Sequence, residues 1–200
     1  MGYTASSSHD HRRLPRVSSR PPVLRTARLQ LLRLVPEDLE AVHAIHGDPR
    51  TNRYNPDGAA SFESCRRWLG TWIADWEREG FGYFGVVEHG APDEVIAIAG
   101  LKAAELRLAE DRSVRVLNLY YRFRPTAWGR GLAHEAVGAA LDHVRPLRPE
   151  LPVCAVIRDN NLPSRRLAGR LGLRETAEVD AAGRRVHLLG DADLLLAHYS

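Results

Sequence analysis

The stretch RPTAWGRGLAHEA, residues 124–136, constrains this chain most, because an alternating aromatic strand pattern ends there and an apolar helix pattern begins. Gly129 and Gly131 flank an arginine at the junction. A glycine loop at the start of a helix exposes backbone N–H groups beside the positive end of the helix dipole, and together these hold a phosphate. Glycines also serve a plain tight turn between strand and helix, so the loop alone leaves both interpretations open.

Three better-known motifs do not fit this stretch. The P-loop requires a Gly-Lys-Ser/Thr sequence, and the only lysine, Lys102, lies elsewhere. The dinucleotide fingerprint requires a third glycine where His134 stands, and the strand here follows others that read as antiparallel. A zinc-protease helix beginning at His134 would need its second histidine where Gly138 stands. A phosphate-binding loop here would therefore lie outside these classes, a plain turn stays possible, and the zinc-protease pattern provides no metal site.

The hydrophobic pattern along the chain predicts an α/β (α+β) fold. It predicts a mixed, mostly antiparallel sheet of about seven strands with helices on both faces. The expected strands are residues 28–34, 81–88, 94–102, 114–123 and 152–157, then two around a turn at 180–183. The expected helices begin near Pro36, after a cap at Ser61, at the glycine loop and near Leu162. In the second helix we expect a core stripe that includes Phe62, and a wet side that includes Asp75.

Composition favours one globular domain. Of 200 residues, 44% are hydrophobic, which is ample for one packed core. We expect a disordered N-terminal tail at 1–22, which is rich in Ser, Arg, His and Pro, and a single domain at 23–200. The chain has no apolar stretch long enough to cross a bilayer and no apolar signal centre, so we expect a cytoplasmic protein without membrane contact. Cys65 and Cys154 are too few and too far apart for a disulfide framework.

The charge balance argues against nucleic acid as a partner. The chain has 28 basic and 25 acidic residues, a net charge of +3 spread along its length. A nucleic-acid footprint would concentrate positive charge on one face. A basic RNA-associated protein anchored by the tail remains a minor alternative. Because all but one of the basic residues are arginine, the codon usage looks GC-rich, which suggests a bacterial protein.

Three motifs in one order resemble the GNAT superfamily of N-acyltransferases. The loop from Trp128 to Ala133 fits that family's coenzyme loop from its glycine onward, with Trp128 where a Gln or Arg is usual. An aromatic strand, LYYRF, precedes the loop, and Asn161-x-x-Ser164 follows it. The sequence Leu-Gly-Leu-Arg at 171–174 matches the next motif, with leucine in place of an aromatic residue. The set looks like the branch typified by ribosomal-protein N-terminal acetyltransferases, over about residues 24–200.

The resemblance implies acetyl-CoA as co-substrate and a V-shaped splay between the fourth and fifth strands that holds its pantetheine arm. Tyr121 and Phe123 would bind that arm through the backbone. The loop amides would hold the pyrophosphate, and Arg130 would screen its charge. The implied coenzyme-binding residues are Tyr121, Arg122, Phe123, Trp128, Gly129, Arg130, Gly131, Leu132, Ala133, His134, Asn161 and Ser164.

The resemblance also implies catalytic residues. Ser164 would protonate the departing thiolate, because Ala168 stands where many members carry a tyrosine. Asn118 stands where some members carry an acidic residue, and it is the second catalytic candidate. Glu105, Glu110, His187 or a water chain are left open as the base. Ser164 and Asn161 also suit a plain helix start, in which their side chains bond only to the backbone.

The sequence leaves the acceptor open. The implied acceptor cleft lies between the first two helices, their connecting loop and the late hairpin. That loop is polar and aromatic, which suits an amine-bearing small molecule, an amino acid or a peptide or protein N-terminus. Without a base, an α-amino group of pKa about 7.7–8.0 needs less help than a lysine at about 10.4. A catalytically silent acyl-CoA-binding module is the alternative function, and homodimer formation is left open.

Overall fold

A computed structural model describes residues 19–189, with side-chain burial through 188. Within that range the chain forms one eight-stranded sheet and four α-helices. The strands are β1 (Leu24–Arg25), β2 (Leu29–Arg33), β3 (Tyr83–Glu88), β4 (Ala91–Arg107), β5 (Ser113–Phe123), β6 (Val153–Ile157), β7 (Arg174–Val179) and β8 (Arg185–Leu189). The helices are α1 (Leu39–His46), α2 (Phe62–Glu79), α3 (Leu132–Val144) and α4 (Leu162–Arg170).

The sheet has the order β1-β2-β3-β4-β5-β6-β8-β7. All its ladders are antiparallel except the one between β5 and β6. The predicted mixed, mostly antiparallel sheet is therefore confirmed, with the two-residue β1 as an additional strand. Strand β4 extends well beyond the predicted 94–102, because it pairs with β5 over eleven successive positions down to Arg107.

Helices cover both faces of the sheet, as predicted. Helices α1 and α2 pack one face, where Val42, Ile45 and Leu69 meet Leu32 and Ile98. The opposite face packs against α3, and its buried cluster includes Leu132, Ala136, Val137, Ala140 and Val144. Alternation along each strand assigns neighbouring side chains to the two layers.

Two expectations for α2 are wrong. Phe62 is 42% exposed, because it lies in the first turn and its ring meets His43 edge-on, with centroids 5.3 Å apart. Asp75 is buried, where its carboxylate accepts from Arg78 at 2.6 Å and Lys102 at 3.1 Å. Paired cations let a carboxylate occupy a position that pattern alone assigns to solvent.

Strands β5 and β6 are paired over only two positions. Leu117 lies opposite Val153 and Asn118 opposite Cys154, and the Leu117 amide donates to the Pro152 carbonyl at 2.9 Å. Beyond Asn118 the two strands have no further ladder partners in each other. This divergence is the predicted splay between the fourth and fifth strands of the sequence pattern, and it opens the sheet beside the glycine loop.

Most of the predicted tail, and the last leucines of the chain, lie outside the described residues. Arg20 falls within the predicted tail and is described. Its guanidinium binds both carboxylate oxygens of Asp38, at 2.8 and 2.7 Å, and Asp38 is buried. Among residues 19–189, none of the helices is both long and apolar enough to cross a membrane.

Candidate active site

The glycine loop links β5 to α3 through two left-handed residues. Gly129 has φ +74° and Gly131 has φ +76°. Gly131 is also the N-cap of α3, and no side chain caps that helix end, so its first amides remain open. A Cβ on Gly129 would meet no heavy atom within 4 Å, and one on Gly131 would lie 3.6 Å from Arg28 Nη2. Both glycines are therefore required by backbone conformation and not by crowding within the protein.

Hydrogen bonds from the β1–β2 turn fix the loop and the first turn of α3. Glu135 accepts from the Thr26 hydroxyl at 2.6 Å and from the Arg28 amide and Nε at 2.8 and 2.6 Å. Although burial opposes it, these donors hold the pKa of Glu135 below its usual value. Arg28 Nη1 also donates to the Arg130 carbonyl at 2.8 Å. Side chains and backbone of the β1–β2 turn thus hold the loop in place.

Two cavities meet beside the loop, where β5 and β6 separate. The coenzyme cavity, of about 650 Å³, lies over the glycine loop and the start of α4. The acceptor cavity, of about 670 Å³, lies among the α1–α2 loop, β4, β5, β6 and the β7–β8 turn. Both are lined by Thr51, Tyr54, Tyr121, Arg122, Asn161 and Ser164, which form the junction between them.

The coenzyme cavity is positively charged. Its lining contains Arg50, Arg53, Arg122 and Arg170, and no aspartate or glutamate among the described residues. Coenzyme A carries a pyrophosphate and a further phosphate, so an acid-free lining with open amides suits it. These residues fit the coenzyme that the sequence motifs imply.

The junction presents the Ser164 hydroxyl. The Ser164 amide donates to Asn161 Oδ1 at 3.3 Å, and the Tyr121 hydroxyl donates to the Ser164 carbonyl at 3.2 Å. These contacts fix the backbone of Ser164, whereas its hydroxyl has no hydrogen-bond partner among residues 19–189. Burial raises the pKa of Tyr121 to about 12. Asn161 is a helix cap, while the Ser164 side chain is left for another partner.

A buried histidine orients a tyrosine in the wall of the acceptor cavity. His46 Nδ1 lies 2.9 Å from the Val42 carbonyl, and its Nε2 lies 2.9 Å from the Tyr120 hydroxyl. A carbonyl only accepts, so Nδ1 carries the hydrogen of the neutral ring and Nε2 accepts from Tyr120. Burial, followed by the charge of Arg122, lowers the pKa of His46 to about 4. Burial raises the pKa of Tyr120 to about 12, against the opposing charge and hydrogen bond of Arg122, so Tyr120 remains a hydroxyl whose hydrogen points to His46.

Arg122 joins the α1–α2 loop to β5. It donates to Asn52 Oδ1, and Asn52 Nδ2 donates in turn to the His46 carbonyl at 2.6 Å and the Asp48 carbonyl at 2.9 Å. The Arg122 guanidinium also lies 5.9 Å from the centroid of the Tyr120 ring. A cation bound to a neutral amide therefore lies beside Tyr120.

Asn118 and Tyr120 share one face of β5, as alternation predicts. Asn118 Nδ2 donates to the Tyr83 hydroxyl at 2.5 Å, and burial raises the pKa of Tyr83. Tyr121 lines the acceptor cavity together with Asn118 and Tyr120, because the splay exposes both faces.

The candidate bases lie away from the junction. Glu105 lines the acceptor cavity but lies opposite Arg115, five residues before Tyr120, which is ~16 Å along the strand. Glu110 lines neither cavity. His187 of β8 is buried between β6 and β7, its Nε2 has no partner among residues 19–189, and it lines neither cavity; burial lowers its pKa.

The structure brings almost all of the implied coenzyme residues together. Those that line the coenzyme cavity are Tyr121, Arg122, Phe123, Trp128, Gly129, Gly131, Leu132, Ala133, His134, Asn161 and Ser164. Arg130 does not line it, because its guanidinium binds both oxygens of Glu88, at 2.8 and 2.5 Å. Sequence reasoning assigned the loop that carries Arg53 to the acceptor cleft alone, and it missed Arg170 and the pair of His46 and Tyr120. Nothing local in the sequence marks them, since their roles depend on long-range contacts.

Comparison with known families identifies the chain's family. Residues 28–174 match the model of the acetyltransferase (GNAT) domain. The chain belongs to the GNAT acetyltransferase family. It is accordingly an acetyl-CoA-dependent N-acetyltransferase, and acetyl-CoA is its co-substrate. Among the described residues of this GNAT acetyltransferase, no cluster of three or more His, Cys, Asp or Glu could hold a metal ion.

Solved structures share the fold of this GNAT acetyltransferase. An acetyltransferase from Agrobacterium tumefaciens is 22% identical, with a TM-score of 0.71, over 86% of this chain and 95% of that one. A GNAT-family acetyltransferase from Bordetella pertussis is 24% identical, with a TM-score of 0.66, over 84% and 98%. RimL, a ribosomal L7/L12 alpha-N-protein acetyltransferase in complex with coenzyme A, is 15% identical, with a TM-score of 0.58, over 82% and 94%.

Proposed function

We propose that this acetyltransferase transfers the acetyl group to a weakly basic primary amine, above all the α-amino group of a peptide, protein N-terminus or amino acid. The observation that carries this proposal is the charge at the junction of the two cavities. Of the six residues that line both cavities, Arg122 is the one formal charge and none is acidic. Such a site disfavours an ammonium ion and favours an amine that is already neutral.

The acceptor cavity supports the same proposal. Its carboxylates are Asp57, Glu105 and Asp180. Asp180 binds the Arg184 side chain and the amides of Ala182 and Arg184. Asp57 is exposed on the α1–α2 loop, and Glu105 lies far along the strand from Tyr120. No carboxylate is thus poised to take a proton from a strongly basic amine at the junction.

Three residues have distinct roles in the proposed reaction. The Tyr120 oxygen, whose hydrogen His46 accepts, accepts a hydrogen bond from the neutral amine as it approaches the acetyl carbonyl. The proton lost by the amine passes to solvent along the acceptor cavity, with Asn118 as a polar contact. Ser164 donates its hydroxyl proton to the departing thiolate and recovers one from solvent. RimL, with its similar fold, is described as acting on an α-amine, which agrees with this acceptor class.

The test is the dependence of the rate on the amine. At pH 7.5 the neutral fraction of an α-amino group exceeds that of a lysine side chain roughly 250-fold. Free thiol released from acetyl-CoA is measured with a peptide that has a free N-terminus and no lysine, and with an N-blocked peptide that contains lysine. We expect kcat/KM for the first to be higher by at least two orders of magnitude, and to rise with pH up to the pKa of the amine. Equal rates, or preference for the lysine peptide, would contradict the proposal.

A further inference from the structure

Arg53 lies at the mouth of the coenzyme cavity, although it belongs to the α1–α2 loop. Its guanidinium carbon is 4.7 Å from the centroid of the Tyr54 ring and 5.3 Å from that of Trp128. Two aromatic faces therefore hold one cation. The side chain is exposed and has no hydrogen bond or carboxylate partner among residues 19–189.

Trp128 places this cation beside the glycine loop. The indole Nε1 donates to the Phe123 carbonyl at 2.8 Å, which fixes the ring directly before Gly129. The left-handed Gly129 and Gly131 then lead into the open amides of α3. Because Arg53 lies over that ring, its donors and the loop amides border the same space. An arginine can use such a position to bind phosphate oxygens with two parallel N–H groups.

The neighbouring arginines are engaged elsewhere. Arg130 of the loop itself binds Glu88 through two hydrogen bonds. Arg50 binds both carboxylate oxygens of Asp48. Arg122 lies deeper, at the junction, and donates to Asn52. Arg170 is also unpaired among the described residues, but it is the last residue of α4, six positions beyond Ser164. Among the described residues, Arg53 is therefore an unpaired cation that Tyr54 and Trp128 hold beside the glycine loop.

We propose that Arg53 binds the pyrophosphate of acetyl-CoA, in concert with the loop amides. Trp128 and Tyr54 orient its guanidinium. Arg53, from the α1–α2 loop, supplies positive charge to the cavity, whereas Arg130 of the glycine loop binds Glu88. Tyr54 lines the acceptor cavity as well. The bound pyrophosphate consequently fixes the α1–α2 loop, so that one wall of the acceptor cavity is set when the coenzyme binds.

The test is the dissociation constant for coenzyme A, measured by isothermal titration calorimetry on the full chain without any acceptor. We expect Arg53→Ala to raise Kd about tenfold, as for loss of one charge-assisted hydrogen-bonding group. Arg66→Ala is the matched control, since it removes the same charge from an exposed position on α2. We expect it to leave Kd unchanged. Arg53→Lys keeps the charge but loses the planar fork and should recover only part of the affinity.

Two further measurements separate the phosphates and the role of Trp128. With 3′-dephospho-CoA, Arg53→Ala should show the same tenfold loss, because the pyrophosphate is still present. In a Trp128→Ala background, the effect of Arg53→Ala should fall below threefold, because the ring no longer holds the guanidinium. Equal Kd values for Arg53→Ala and Arg66→Ala would overturn the proposal. A loss seen with coenzyme A and absent with 3′-dephospho-CoA would assign Arg53 to the 3′-phosphate and overturn the pyrophosphate assignment.

Discussion

The role proposed for Ser164 follows from its hydrogen bonds, because its backbone groups are paired and its side-chain hydroxyl is not. Its amide is satisfied by Asn161 and its carbonyl by the Tyr121 hydroxyl, which leaves the side-chain hydroxyl at the junction of the cavities. One turn further along α4, Ala168 is fully buried and offers no polar group. A serine that only caps a helix forms a hydrogen bond between its hydroxyl and the backbone. Ser164 forms no such bond among the described residues.

We predict that Ser164→Ala keeps coenzyme binding and slows turnover. The proton donor to the thiolate is lost, and water replaces it less effectively, so kcat should fall about 100-fold. Calorimetry of coenzyme A should give a Kd within a factor of two of the unaltered enzyme. Ser61→Ala is the control, because Ser61 caps α2 away from both cavities and should change stability but not kcat. A normal kcat for Ser164→Ala would remove its role as proton donor.

At the scale of elements, the start of α3 combines a helix end with the site proposed for the phosphates of the coenzyme. Among the described residues no side chain caps the helix, so its first amides need another acceptor, and we propose that a phosphate of acetyl-CoA is that acceptor. Glu135 ties the same turn to Thr26 and Arg28, which keeps the uncapped end in place. Contacts with the β1–β2 turn stabilise this helix end. Its uncapped side is where we propose that the coenzyme binds.

We predict opposite effects for two glycine substitutions in this region. Gly131→Ala forces a left-handed alanine, which costs about 1 kcal/mol, and places a methyl group where the coenzyme approaches, so Kd should rise at least tenfold. Gly138→Ala lies inside α3 with nothing within 4 Å of the added Cβ. It should raise the free energy of unfolding by about 0.5–1 kcal/mol and leave Kd unchanged. Urea unfolding and calorimetry measure both, and unchanged coenzyme binding by Gly131→Ala would contradict the role of the loop.

The sequence predicts elements well where the determinants are local. The alternation before the loop, its glycines and the apolar spacing after it predict β5 and α3 correctly. It does not predict that Asp75 is buried, because Lys102 of β4 reaches it across 27 positions. Nor does it predict that Arg53 lies over Trp128, which is 75 positions further along the chain. Pairings of this kind depend on how helices and strands pack against each other, and the hydrophobic periodicity of the sequence does not predict them.

At the scale of the whole molecule, burial of histidine links folding to pH. His46 is 2% exposed and its pKa falls to about 4 through burial and the charge of Arg122. Burial also lowers the pKa of His187. In the unfolded chain both rings bind protons near pH 6.5. Between pH 6.5 and pH 4 the unfolded state therefore binds more protons than the folded state. The stabilising contribution of these buried histidines is fully present above pH 6.5 and is lost as the pH falls toward 4.

We predict that the free energy of unfolding drops between pH 7 and pH 4.5, with His46 alone contributing up to about 3 kcal/mol. Urea unfolding at pH 7, 6, 5 and 4.5 measures this decrease. His46→Gln removes the titrating group and should flatten the decrease, although it lowers stability at pH 7 because the contacts of the ring are lost. Ser61→Ala, which removes the cap of α2 and no titrating group, is the control and should lower stability to the same extent at every pH. An equal slope in His46→Gln would assign the pH dependence elsewhere.

Because β5 and β6 pair over only two positions, few hydrogen bonds connect the parts of the sheet that lie on either side of them. Strands β6, β8 and β7 with α4 form a C-terminal block whose own ladders are longer, and that block carries Ser164 and Asn161. The rift proposed to admit the coenzyme is therefore also a two-position seam inside the sheet, as short as the β1–β2 ladder at its edge. Amide hydrogens of the block should exchange with deuterium as one cooperative unit, faster than those of β3 and β4, and a bound coenzyme that bridges the seam should slow them.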